Sequence, residues 1–204
     1  MHCYSGVPFR FIRGLERKFH FQYFTQNRFE SEAARAELLE RGMRAFRAGC
    51  VSKKSVAMGE MYRSLMEMHH FVPSEVRWID ENIGCGLFAA ESIGVHQFVG
   101  EYTGLVRKNN RRYIEPLNHY CYEYPILDEL GRSHVIDATS GSLARFINHS
   151  KMPNLKPTYV FLDGFFHVIF VALKKISVGE QLCYNYGPSY WYIRPQPVEI
   201  DSHH

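Results

Sequence analysis

The 204 residues predict a mainly β, β-rich α+β fold preceded by an α-helical N-terminal region. Three observations carry that expectation. Apolar side chains recur at three- and four-residue spacing ahead of Pro73, whereas from Val76 onward the chain breaks into short β-branched and aromatic runs separated by Gly, Asn and Asp. The length suits one main core, since domains usually hold roughly 100 to 200 residues. The composition is that of a soluble globular protein with a raised aromatic share of 15%, and no apolar run approaches the roughly 18 residues of a membrane span.

Residues 1–30 mix aromatic and basic types (Phe9, Arg10, Phe11, Arg13, Lys18, Phe19) without a clear period and read as an arm lying across the main body. They lack a continuous apolar segment ending in small residues, so no secretory signal is evident and synthesis is expected to end in the cytoplasm. Ser31 is suited to cap a helix running to Gly49, with Leu38, Leu39, Ala45 and Phe46 on or near one stripe. A second helix is expected from about Ser55 to His70, where Met58, Met61, Leu65 and Met68 recur at helical spacing. This hairpin docks either on the domain or on a second copy, giving a homodimer through the N-terminal helices; both readings stand. The net charge of +3 conceals an asymmetry, because residues 1–78 carry 13 Lys+Arg against 8 Asp+Glu. Such a front suits an acidic partner such as nucleic acid, or simply a solvated helical surface.

The expected division is residues 1–75 for arm and hairpin, 76–192 for the main domain with its aromatic end, and 193–204 for a tail. Candidate strands are Val76 to Ile79, Gly86 to Ala89, Phe98 to Tyr102, Tyr120 to Ile126, Val135 to Asp137, Thr158 to Leu162, Phe165 to Ala172 and Gln181 to Tyr184. The Asp163-Gly164 pair between two aromatic runs signals a hairpin turn, and Gly141 to Asn148 alone in this half suits a short helix. Five scattered cysteines form no CxxC pair, which favours isolated reduced thiols over a metal site or a disulfide framework.

Two polar segments stand out inside this apolar half: Arg145 to Ser150 (RFINHS) and Gly179 to Gly187 (GEQLCYNYG). Buried polar groups are costly without partners, so both suggest a ligand. Asn148 and His149 supply donors and acceptors at a helix-to-loop junction, while Tyr184 and Tyr186, two apart on an extended segment, should face the same side. Gly84-Cys85-Gly86 and Glu101-Tyr102-Thr103-Gly104 are weaker signals; a dinucleotide fingerprint would need GxGxxG ahead of a helix, which is absent.

Together and in this order, the four motifs resemble the signature of SET-domain protein-lysine methyltransferases, and Pro153 and Asn154 match the residues that follow the NHS segment. The likeness covers roughly residues 77–192 and is nearest to compact bacterial SET proteins, including those of obligate intracellular bacteria. It implies small curved sheets with a C-terminal pseudoknot, in which the segment ending at Gly187 passes under the loop of Asn148 and His149. It implies S-adenosyl-L-methionine as methyl donor, lined by the backbone around Ile83, Gly84 and Cys85, by Tyr120, and by Asn148 and His149. It further implies a lysine channel walled by Tyr102, Tyr184 and Tyr186, with Tyr159 a looser addition and Tyr186 the essential orienting hydroxyl. Tyr184 stands where the family carries Phe or Tyr, and a hydroxyl there implies mainly monomethylation. The implied substrate is a histone or histone-like basic protein, in the protein's own cell or, for an intracellular bacterium, in a host nucleus.

Departures from the family pattern are also legible. Lys151 replaces a frequent cysteine and the three-cysteine post-SET tail is missing, so closure of the donor site would fall to Tyr190, Trp191 and Tyr192, with Trp191 the candidate to stack on adenine. The alternative is a tail packed on the sheet. Asn185 replaces the usual aspartate, and the run Arg107 to Arg112 reads as a solvated loop or a patch for an acidic partner. Besides the enzyme, two readings from other classes stand: a silent SET module binding a partner or chromatin, and a nucleic-acid binder acting through its basic front.

Overall fold

Serine caps start the two long helices. In the computed structural model, which describes residues 3–4, 7–109, 118–127, 131 and 133–191, the Ser31 hydroxyl accepts the Ala34 amide at 3.1 Å and the Ser52 hydroxyl accepts the Ser55 amide at 3.0 Å. Ahead of them, β1 (Cys3–Tyr4) pairs antiparallel with β2 (Val7–Pro8), and α1 (Phe9–Phe19) follows. The expected irregular arm is thus partly helical. Ile12 and Leu15 of α1 are buried in the main core with Phe11 and Phe19 packed against it, a helical spacing that the interleaved basic residues blur. After β3 (Arg28–Phe29) come α2 (Glu32–Arg47) and α3 (Lys53–Glu67).

Helices α2 and α3 dock on their own domain, against the hairpin of β11 (Leu155–Leu162) and β12 (Phe165–Ala172). Its turn is Asp163-Gly164, with φ of 49° and 86°, as the sequence signalled. Backbone contact sets the approach: a Cβ on Gly42 would collide with the Gly164 carbonyl oxygen, and one on Gly59 with that of Phe161. The buried face of α3 is therefore Ser55, Gly59 and Met66, with Met58, Tyr62 and Leu65 packed alongside. The Met stripe expected from the sequence is corrected here, since Met61 and Met68 point outward, 70% and 59% exposed. Helical period alone could not reveal that glycine, not methionine, marks the close approach.

Downstream, β4 (Ser74–Asp80) and β5 (Gly84–Ala89) form a hairpin, and β6 (Phe98–Glu101) adds to β12 to give the sheet order β11-β12-β6. A second sheet has the order β3-β7-β9-β8, with β7 (Leu105–Lys108), β8 (Cys121–Leu127) and β9 (Ser133–Asp137). Strand β7 is not among the strands that the sequence predicts. Its Arg107 is no part of a solvated loop: the guanidinium is paired with Asp137 at 2.8 Å, and burial of that pair is substantial. Asn110, Arg111 and Arg112 of the same run lie outside the described residues, as do Tyr192 and residues 193–204. A 3-10 turn (Leu143–Phe146) leads to β10 (Asn148–His149), which pairs with β13 (Cys183–Tyr184), and α4 (Pro188–Trp191) ends the described chain. Between the layers lies one large core, with Val99, Ile136, Leu143, Ile147, Leu155, Phe170 and Leu182 essentially inaccessible.

Gly59→Ala should destabilise the protein by about 1–3 kcal/mol in chemical denaturation, the usual result of overpacking, whereas Met61→Ala should stay within about 0.5 kcal/mol as a surface change. The reverse order would mean that the methionine stripe, not the glycine, faces the sheet.

Candidate active site

Strands β10 and β13 run parallel, with Asn148 opposite Cys183 and His149 opposite Tyr184. Parallel neighbours cannot be joined by a tight turn, so this pairing brings together segments 35 residues apart by a long route through the β11–β12 hairpin. Further bonds lock it. Ser150 donates its amide to the Tyr184 carbonyl at 3.0 Å, and the Asn154 side chain donates to the Gln181 carbonyl at 2.8 Å while accepting the Cys183 amide at 2.9 Å. Asn154 is almost fully buried with both amide hydrogens and its oxygen engaged, since Nδ2 also reaches Glu180 at 3.0 Å.

Tyr186 is held to the same segment at both ends. Its amide donates to His149 Nδ1 at 3.1 Å and its hydroxyl donates to the Ile147 carbonyl at 2.9 Å. An Nδ1 that accepts must be unprotonated, which fixes His149 as the neutral tautomer with its proton on Nε2. Burial first, and the nearby Lys151 second, hold its pKa below the ordinary histidine value. On the other side Asn148 donates its side-chain amide to the Cys85 carbonyl at 3.1 Å, which ties the Gly84-Cys85-Gly86 turn to the crossing. Gly84 has φ +78°, and a Cβ on Gly86 would press on Ile79, Gln181 and Asn148. Ile83 lies at the head of that turn, its amide bonded to the Asp80 carboxylate at 2.8 Å rather than to the other candidates.

The tyrosines form one contiguous aromatic wall. Ring centroids of Tyr184 and Tyr186 are 4.6 Å apart, so they share a side as their spacing required. Tyr184 also packs on Phe170 at 5.0 Å and faces Tyr122 at 6.3 Å, while Tyr102 lies 5.4 Å from Tyr122. Tyr122, which the sequence reading did not single out, is the central ring, with Tyr159 at 6.0 Å. The signal was present in the two-residue repeat Tyr120, Tyr122, Tyr124 along a strand. The Tyr102 hydroxyl donates to the Tyr120 carbonyl at 2.6 Å and that of Tyr159 to the Glu123 carbonyl at 2.9 Å, whereas those of Tyr122 and Tyr184 have no hydrogen bond among the described residues. Burial raises the pKa of all of them, to about 12 for Tyr122, so every phenol is neutral near pH 7.

A cation completes the arrangement. Arg145 lies between the rings of Phe21 and Tyr120, its Cζ 4.5 and 4.2 Å from their centroids, and donates Nη1 to the Thr139 carbonyl at 2.7 Å. Its buried Nε has no hydrogen-bond partner, and among the described residues no carboxylate pairs with it. In the tail, Trp191 meets His149 edge-on at 4.9 Å and stacks nearly parallel over Tyr186 at 6.2 Å, and the Tyr190 hydroxyl hydrogen-bonds His119 at 2.9 Å. Thus Cys85, Asn148, His149 and Trp191 form one contiguous group, Tyr102, Tyr184 and Tyr186 another. Tyr120 stands beside Arg145.

Half of the chain, residues 84–187, matches the family model described as SET domain. The chain belongs to the SET domain family. Curated relatives include the histone-lysine N-methyltransferase EZH2 of Chaetomium thermophilum, 35% identical over 58% of this chain and 8% of that protein, and histone-lysine N-methyltransferase 2D of Homo sapiens, 39% identical over 50% of this chain and 2% of that protein. This SET chain thus spans under a tenth of the length of these relatives. Among solved structures, ATXR5 in complex with a histone H3.1 peptide superposes with a TM-score of 0.66 over 87% of this chain and 86% of that one; at 20% identity this speaks for the fold alone. A polycomb repressive complex 2 structure from Chaetomium thermophilum superposes at 0.52, with 28% identity over 63% of this chain and 17% of that one.

The His149–Tyr186 bond makes this SET crossing sensitive to acid. A depressed histidine pKa in the fold means that the unfolded chain takes up the proton first, so the bond's contribution is complete above about pH 6.5 and is lost as pH falls through the lower folded value. Denaturation between pH 7.5 and 5 should show a steeper acid loss for the unmodified protein than for His149→Gln, whose amide oxygen accepts the same bond without titrating. Equal slopes would remove His149 from the account.

Proposed function

We propose that the chain catalyses S-adenosylmethionine-dependent methylation of a lysine side chain in a histone or histone-like basic protein, mainly to the monomethyl state. The observation that carries this reading is the meeting of two unlike environments at one two-residue strand pair: hydrogen-bonding groups around Asn148 and His149, and a neutral aromatic wall of Tyr102, Tyr122, Tyr184 and Tyr186. The names of the curated relatives support the reaction class and make histones the substrates to try first.

The residues fit the donor. The charge of Arg145, which lies beside Tyr120 and has no carboxylate partner among the described residues, suits the carboxylate of its amino acid part, and the closely packed Gly84-Cys85-Gly86 turn leaves backbone groups beside Asn148 and His149 for the remainder. When bound, S-adenosylmethionine supplies the methyl group and a sulfonium cation. The protein's part is to desolvate and aim the lysine amine. With a free pKa of about 10.4, neutral lysine costs roughly 4–5 kcal/mol at pH 7, and desolvation between the aromatic rings, beside the sulfonium cation of the donor, favours loss of that proton. Tyr102 and Tyr186 spend their hydroxyl hydrogens on backbone carbonyls, so their oxygens remain only as acceptors towards the amine. None is a base, because burial keeps each phenol protonated. The unengaged hydroxyl of Tyr184 is free to hold a water that takes the space of a second methyl group.

Labelled methyl transfer to histone mixtures tests the reading. Tyr186→Phe should slow transfer on the order of 10- to 100-fold, as expected when a reacting group is misplaced, and full activity of that variant would contradict the role given to its hydroxyl. For Tyr184→Phe, mass spectrometry should find di- and trimethyl-lysine where the unmodified protein leaves monomethyl-lysine; trimethyl-lysine from the unmodified protein would overturn the monomethyl assignment.

A further inference from the structure

Arg145 draws part of its surroundings from outside the family-matched segment. Its guanidinium has a single hydrogen bond among the described residues, to the Thr139 carbonyl, and no acidic partner among them, so its position depends on the rings it packs against, those of Phe21, Tyr120 and, at 5.4 Å, Phe146. One of them, Phe21, belongs to the N-terminal arm, 63 residues ahead of the matched region. Phe21 is buried, meets Phe146 edge-on at 5.8 Å, and has Arg145 Cζ 4.5 Å from its centroid. The arm around it is bonded strand-like to the loop that carries Arg145. Gln22 donates its amide to the Ser140 hydroxyl at 3.1 Å, Tyr23 bridges Gly141, Phe24 donates to the Gly141 carbonyl at 3.2 Å, and Thr103 donates its hydroxyl to the Phe24 carbonyl at 2.7 Å. On the far face of the guanidinium is Tyr120, whose carbonyl accepts the Tyr102 hydroxyl.

We propose that the N-terminal arm is a working part of the donor site, with Phe21 as a positioning residue that holds the Arg145 guanidinium over Tyr120, where its charge serves the donor's carboxylate. The inference rests on the functional reading above and deepens it. A planar cation over aromatic faces is attracted to each of them and keeps a charge that no carboxylate cancels. Removing one face leaves the side chain several rotamers, and the ordering lost must be regained each time an anion binds. The same stack explains why a half-buried cation without a carboxylate is tolerated: aromatic faces compensate part of its desolvation and leave its charge available to a ligand.

The test is donor affinity of the full chain, measured by calorimetry with S-adenosylmethionine alone, without a protein substrate. Phe21→Ala should weaken donor binding about five- to tenfold, and Phe21→Trp should restore it to within twofold, since it returns the aromatic face. Leu15→Ala, a buried change in α1 without a ring against the guanidinium, is the control and should lower the melting temperature while leaving donor affinity unchanged. In steady state with a histone substrate, Phe21→Ala should raise KM for the donor and leave KM for the protein substrate unaltered. Donor affinity unchanged in Phe21→Ala, or lost equally in Leu15→Ala, would overturn the positioning role; should Phe21→Ala not fold, Phe21→Leu carries the same expectation. No donor binding by the unmodified protein would instead overturn the functional reading itself.

Discussion

The parallel contact of Asn148–His149 with Cys183–Tyr184 is the constraint on which the remaining site geometry depends. Only two residues pair on each side, so the ladder alone is too short to hold. It persists because side chains extend it: Asn154 engages the 180–183 segment from one end, and His149 and Ile147 engage both ends of Tyr186 from the other. Each bond is buried or half-buried, where a lost partner costs about 1–3 kcal/mol. The chain between the two segments is the β11–β12 hairpin on which α2 and α3 dock, which gives the glycines at that contact a part in building the site from a distance.

Electrostatics in this region follow a consistent plan. The aromatic wall is largely buried and uncharged at neutral pH, while Arg145, a cation without a carboxylate partner among the described residues, lies over Tyr120 and acts on Tyr102. The Glu101 carboxylate, next in sequence to Tyr102, is matched by His167 at 2.7 Å. Burial opposes charge on His167, yet the Glu101 carboxylate outweighs it and raises the histidine's pKa, so the pair neutralises itself beneath the sheet. Asn27 of the arm approaches the same carboxylate at 3.5 Å and accepts the Gly104 amide at 3.1 Å, so the arm braces both sides of the site.

Much of this was legible in the residues. Alternation and turn signals place the strands on either side of Asp163-Gly164, Ser31 marks the start of α2, and the spacing of Tyr184 and Tyr186 puts them on one face. What was not legible is chiefly what depends on distant partners. Helix α1 is short and interrupted by basic residues and Gly14, and its burial comes from a core contributed by residues more than a hundred positions away. Strand β7 owes its place to Asp137 and β9, not to its own charged sequence. The outward turn of Met61 and Met68 follows from two glycine contacts, a close-packing constraint that no hydrophobic period encodes. Likewise the importance of Arg145 lies in what surrounds it: in sequence it is one basic residue among 24.

Backbone hydrogen exchange with and without S-adenosylmethionine addresses the crossing most directly, because the amides of Ser150, Cys183 and Tyr186 each donate across it. If the donor site is built on this contact, these three amides should slow together on donor addition while those of α2 and α3 keep their rates. Slowing confined to the helices, or none at the three crossing amides at a saturating donor concentration, would contradict the account.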